Sequence, residues 1–133
     1  MKHKSLKDIE STLVHTKFPS SVILDSINSC NYNCEICARK LITREKRKMK
    51  ISIIKKILDE IAIEAPDIKI WLVFYGEPLL IKDRIYFIAD YAHKKGLRNL
   101  YLNTNGSLLD DDAVELLVES SINNIIVSVD AFY

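Results

Sequence analysis

An α/β fold built on a parallel sheet is what this sequence predicts: about four parallel strands, three crossover helices and a short helix at the N-terminus. Two observations lead there. Compact apolar runs of strand type alternate with stretches whose apolar residues recur every three to four positions. The least ordinary residues of the chain, among them all of its cysteines, fall directly after the strand-type runs, where parallel sheets gather their ligands.

Each element has its own signal. Residues 5–16 carry Leu6, Ile9, Leu13 and Val14 on one helical face, with Ser5 as a cap, and Pro19 closes the segment. Val22-Ile23-Leu24 is the first strand, continuing toward Ile27, and the cysteine loop follows it. Residues 38–50 hold Arg39, Lys40, Arg44, Lys46, Arg47, Lys48 and Lys50, and read as a solvated loop before a patch for an acidic partner. Ser52 is placed to cap a helix to about Glu64, whose Ile53, Ile54, Ile57, Leu58 and Ile61 form an amphipathic stripe. Ala65-Pro66-Asp67 breaks it.

The run from Ile68 to Tyr75 is apolar from Ile70 onward, as in a strand buried on both faces, and ends in Gly76-Glu77-Pro78. A helix over about 82–95 presents Ile85, Ile88, Ala89 and Ala92, with Gly96 where a helix-ending glycine belongs. Leu100-Tyr101-Leu102 is the third strand and ends in Asn103-Thr104-Asn105-Gly106. Asp110 to Asp112 open a third helix with Val114, Leu116 and Leu117, and the last strand runs from Asn124 to Asp130. Short right-handed connections would make the four strands neighbours in chain order.

Composition narrows the classes. Charge is balanced, with 19 basic and 18 acidic residues, so no nucleic-acid-binding tail or acidic disordered segment is expected. The basic start has no apolar stretch after it, so it does not read as a signal peptide. No apolar run approaches the roughly 18 residues of a membrane span. Three clustered cysteines without a secretory signal argue against a disulfide framework and for a reducing, cytoplasmic setting.

The chemistry centres on Cys30, Cys34 and Cys37, spaced C-x3-C-x2-C. Three thiolates within eight residues can converge on one object, and soft ligands of this kind favour zinc, copper(I) or an iron–sulfur cluster. Structural zinc normally closes with four protein ligands and a cubane cluster usually takes four thiolates. His3, His15 and His93 are all distant in sequence, so a cubane held here would keep one iron open for a non-protein ligand.

The cysteine motif after a first strand, Gly76-Glu77-Pro78 after a second and Thr104-Asn105-Gly106 after a third resemble the radical S-adenosylmethionine (radical SAM) enzymes over about residues 20–133. The continuation Ser128-Val129-Asp130-Ala131-Phe132 is similar to a branch that often carries a C-terminal SPASM domain. The resemblance implies a partial (β/α)6 barrel, here incomplete, with residues 1–19 as an N-terminal helical extension and 20–133 as the first four βα units. It implies oxidoreductase-like chemistry in which Cys30, Cys34 and Cys37 hold a 4Fe–4S cluster and S-adenosyl-L-methionine occupies the fourth iron. One electron then cleaves SAM to a 5′-deoxyadenosyl radical that abstracts hydrogen from a substrate.

The same resemblance assigns the remaining residues. Gly76 and Glu77 match the motif that receives the SAM amino group, through a carbonyl or a carboxylate. Ser128 matches a SAM-contacting position, Asp130 is within reach of a ribose hydroxyl, and Thr104 and Asn105 line the substrate or carboxylate side. A plain strand-end turn is the alternative for Gly76 and Glu77, for Asp130, and for Thr104 and Asn105. Tyr75 and Tyr101 can stack on adenine, with core packing as the alternative use. Ile36 departs from the family, which commonly has an aromatic residue there; an isoleucine covers the adenine without stacking.

Expected partners are a reductant such as flavodoxin or ferredoxin and an unknown substrate, peptide or small molecule, with neither nucleic acid nor membrane. At about 31 residues per βα unit, residues 21–133 hold roughly 3.6 units, so the chain is expected to be a fragment or truncated frame, partly or wholly inactive alone. Its open sheet edge is expected to invite self-association. The alternatives are a non-catalytic iron–sulfur or zinc-binding α/β module and an inactive truncated fragment.

Overall fold

A computed structural model of the chain describes residue 7 and residues 17–129. Lys7 apart, the expected N-terminal helix over 5–16 lies outside the described residues, as does Asp130.

Four strands form one parallel sheet in chain order: β1 (Ser21–Ile23), β2 (Lys69–Trp71), β3 (Leu100–Thr104) and β4 (Asn124–Val127). Between them run α1 (Ile51–Glu64), α2 (Lys82–Lys94) and α3 (Asp111–Glu119), with short 3-10 turns at Ala38–Leu41 and Pro78–Ile81. The expected parallel α/β architecture is therefore the observed one.

The helices bury their stripes against one side of the sheet. Ile54, Leu58 and Ile61 of α1, Ile85, Ile88 and Ala92 of α2 and Leu117 of α3 join Leu24, Ile70, Leu72, Leu100 and Leu102 in one core. Period-2 alternation on β3 puts Leu100, Leu102 and Thr104 inside and leaves Tyr101 and Asn103 half-buried on the other side. On that second side Tyr101 packs on Trp71, ring centroids 4.6 Å apart, and Ile23 and Ile126 are exposed.

Several boundaries differ from expectation for identifiable reasons. The second strand was expected to run to Tyr75, but it ends at Trp71. Beyond it the Phe74 and Tyr75 amides donate to Asp25 Oδ1, 3.3 and 3.1 Å away, so a side chain at the end of β1 takes the amides a longer strand would have used. Ser52 does not cap α1: the helix starts at Ile51, Lys50 is the N-cap and its side chain makes no cap bond. Asp110 does cap α3, its Oδ1 accepting from the Ala113 amide at 2.7 Å. Gly96 follows α2 at φ +89°, and the Gly96 and Leu97 amides bond back to His93 and Ala92 as in a Schellman stop.

The basic segment is exposed, as expected of a solvated loop, but part of it is strapped down. Ile27 pairs antiparallel with Lys48, Met49 donates its amide to Ser26 O, and Asn28 bonds both to the Arg47 amide (2.6 Å) and to Glu45 O (3.0 Å). The segment leading into the cysteines is thereby fixed on its outer side.

Candidate functional site

At the carboxyl ends of the strands the chain crosses from sheet to loop four times, and side chains knit those crossings together. Glu77, just past β2, is the hub. It is only 1% exposed, and its carboxylate is fully engaged. Oε1 accepts from Thr104 Oγ1 at 2.7 Å and from the Leu79 amide at 3.1 Å; Oε2 accepts from the Asn105 amide at 2.8 Å. Its own amide donates to Ser29 O at 2.9 Å, beside the first cysteine. A buried carboxylate persists because it is hydrogen-bonded on both oxygens.

Gly76 supports the same junction. A Cβ there would stand 2.2 Å from Ile27 O and 2.8 Å from Ile27 C, so the loop after β2 lies directly on the backbone leading to the cysteines. Only a residue without a side chain fits. Thr104, 2% exposed, also accepts from the Gly106 amide on Oγ1, and its carbonyl accepts from the Ser128 amide at 2.9 Å, tying in the end of β4. Asn105 reaches the cysteine loop: its Nδ2 donates to Asn31 Oδ1 at 3.0 Å and to Cys30 Sγ at 3.7 Å.

The structure thus brings Cys30, Gly76, Glu77, Thr104, Asn105 and the Ser128 backbone into one neighbourhood. Among the described residues, the side chains of Ser128, Ile36, Tyr75 and Tyr101 are not joined to it. Ser128 is exposed and Ile36 is 82% exposed in the cysteine loop. Asp130 lies outside the described residues. Tyr75 is half-buried against Phe74 at 4.6 Å, and Tyr101 is occupied by Trp71.

All three cysteines are free and partly exposed. Cys37 donates its amide to Cys34 O at 3.2 Å and stands at the start of the 3-10 turn, while the Tyr32 amide points at Cys30 Sγ at 3.4 Å. Among the described residues no three His, Cys, Asp or Glu side chains converge at metal-holding distance, so the thiols share a loop without yet sharing a point. Asn31, Tyr32, Asn33, Glu35 and Ile36 are all exposed, and little packing opposes closure of that loop. An all-thiol donor set with N–H donors already aimed at one sulfur fits a soft metal or a cluster.

Asp25, not singled out from sequence, is a further organiser of this end of the sheet. Besides the two amides after β2, it holds Arg44 of the basic segment at 2.5 Å. Asp25, Asn28, Arg44, Met49 and Ile53 border a cleft of about 640 Å³, which lies outside the strand-end network. An acidic residue closing an apolar strand run is the signal that could have found it.

Comparison with known proteins finds relatives over most of the chain. Residues 24–133 match the model of the radical SAM superfamily. The chain is 31% identical over 108 residues to the tungsten-containing aldehyde ferredoxin oxidoreductase cofactor-modifying protein of Pyrococcus furiosus, covering 80% of this chain and 30% of that protein. It is 33% identical over 125 residues to the AdoMet-dependent heme synthase of Methanosarcina barkeri, covering 86% and 32%. Among solved structures, BtrN in complex with AdoMet and 2-DOIA superposes with a TM-score of 0.77 at 25% identity, over 90% of this chain and 49% of that one. The chain therefore spans about a third of these two curated relatives and half of the solved neighbour. With the family model covering most of its length, this chain belongs to the radical SAM superfamily.

Proposed function

We propose that the chain carries the cluster- and cofactor-binding part of a radical SAM enzyme. Residues 20–133 are read as the first four βα units of such a core, with residues 1–19 as an extension; the SPASM-type branch suggested by Ser128 to Phe132 remains part of this proposal. Cys30, Cys34 and Cys37 would hold a 4Fe–4S cluster, and S-adenosyl-L-methionine would bind at the strand ends. When bound, that pair supplies a one-electron cleavage that yields a hydrogen-abstracting radical.

The remaining roles belong to this chain's own residues. The observation that carries the reading is the locking of the cysteine loop to the ends of β2 and β3 through Glu77 and Asn105. With the Glu77 carboxylate engaged inward, the amino group of the cofactor is assigned to the main-chain carbonyl of Gly76, an acceptor able to take an ammonium N–H. Ser128 and Asp130 are assigned to the ribose side, Thr104 and Asn105 to the edge toward the substrate, and Ile36 to covering the adenine. A reductant such as flavodoxin or ferredoxin would supply the electron in a cytoplasmic setting. The substrate is left open, because the related proteins named above act on different molecules.

Anaerobic reconstitution tests the reading. The chain is expected to take up about four irons and four sulfides, with absorbance near about 400 nm. Changing Cys30, Cys34 or Cys37 to Ala is expected to abolish that absorbance. Stoichiometric zinc binding without cluster uptake would overturn it in favour of a zinc module.

A further inference from the structure

We infer that Asn105 is a positioning residue that sets the electrostatic environment of the Cys30 sulfur, and that Glu77 holds Asn105 in place for it. The inference rests on the cluster reading above and adds to it a residue that acts on the cluster through a ligand.

The orientation of the Asn105 amide is fixed by its partners. Its Oδ1 accepts twice from Ser107, from the amide at 3.0 Å and from Oγ at 2.7 Å, so the oxygen must face Ser107 and the nitrogen must face the cysteine loop. Ser107 Oγ in turn accepts from Asn31 Nδ2 at 2.8 Å. From behind, Glu77 Oε2 takes the Asn105 main-chain N–H, and Glu77 is buried, so the backbone carrying the amide has one position.

In the free thiol the Cys30 S–H has an acceptor in Asn31 Oδ1, 3.8 Å away. Metal ligation requires that proton to leave to solvent, and the sulfur then only accepts. The donors aimed at it are the Tyr32 amide at 3.4 Å and Asn105 Nδ2 at 3.7 Å. Tyr32 donates from the backbone of the cysteine loop; Asn105 donates from the residue that follows β3, so its bond also ties that loop to β3. Each N–H stabilises negative charge on the sulfur, and reduction of a cluster adds negative charge. Removing the donor therefore disfavours the reduced state.

The experiment is a redox titration, followed by electron paramagnetic resonance, of the full chain reconstituted anaerobically, as wild type, Asn105→Leu and Asn105→Asp. Asn105 is partly exposed, so both variants are expected to fold and to match wild type in iron content. The midpoint potential is expected to move negative in the Leu variant and further negative in the Asp variant, which sets a carboxylate against the sulfur. Glu77→Gln puts an N–H donor against the Asn105 amide and also removes a buried negative charge, which alone moves the potential positive. Beside Asn105→Leu only that charge effect is expected to remain, so the shift from Glu77→Gln alone should lie negative of it. Equal potentials in all iron-loaded forms overturn the inference while leaving the cluster reading intact. A folded Leu variant that loses its iron overturns a tuning role in favour of assembly. A wild-type chain that takes up no cluster overturns the cluster reading itself, and this inference with it.

Discussion

A glycine is easily assigned to a cofactor whenever it follows a strand, and Gly76 shows what else can require one. Its missing side chain makes room for the Ile27 carbonyl, at 2.2 Å from where a Cβ would be, and that contact is backbone on backbone. Neither partner is the far end of a flexible side chain, so a methyl group must displace the chain leading into Cys30. Gly76→Ala is therefore expected to destabilise the chain by about 1–3 kcal/mol, in the range of overpacked cores. It should also lower iron uptake, because the loop lead moves with Ile27. Urea unfolding and iron analysis on the same preparation check both effects; a destabilised variant with full iron content would show the cysteine loop to be independent of this contact. Glu77 makes the parallel point for side chains. Its motif suggests a carboxylate that faces a ligand, whereas its oxygens bind Thr104, Leu79 and Asn105.

Elements were legible from sequence where their signal is periodic and local. The stripe of α1 and the Schellman glycine after α2 need only neighbours in the chain; the glycine stands where the pattern puts it, and of the stripe Ile54, Leu58 and Ile61 are buried while Ile53 is exposed. Strand ends were less legible, because β2 stops when Asp25, about 50 positions earlier, captures two amides. Nothing local to Ile68–Tyr75 records that. The site divides in the same way: C-x3-C-x2-C is visible in one loop, while the link from Asn105 to Cys30 joins residues 75 positions apart.

Helix contacts carry a similar non-local feature. Asp59 of α1 is held by Lys95 at 2.7 Å and by Tyr91 Oη of α2, and Lys95 first, then Tyr91, lower its carboxyl below the ordinary range. A depressed carboxyl stabilises the fold above its unfolded value, about 3.9, and that contribution is lost as pH falls through the lower folded value. Asp59→Asn is thus expected to flatten the acid limb of a stability–pH profile and to leave its slope near neutrality unchanged. Chemical denaturation between pH 2 and pH 7 would show it; an unaltered acid limb would mean that solvent screens the pair completely.

At the scale of the whole molecule the sheet is covered unequally. Its helix side holds the core, while the other side leaves Ile23 and Ile126 exposed at 48% and 43% beside the Trp71–Tyr101 pair. β4 pairs with β3 along one edge and with no described strand along the other, and Ile125 and Val127 are also more than 40% exposed. The basic segment does not cover this edge, since residues 45–49 strap onto the lead from β1, at the opposite end of the sheet. An apolar strand with an open ladder is a template for pairing, and the apolar sheet face beside it enlarges the patch. The isolated chain is therefore expected to self-associate as its concentration rises, which sedimentation velocity over a concentration series would register. Ile126→Lys should shift that association to higher concentration, because a charge on the exposed face opposes both stacking and edge pairing without touching the core. A concentration-independent monomer whose β4 amides resist hydrogen exchange would show instead that this edge is covered in solution.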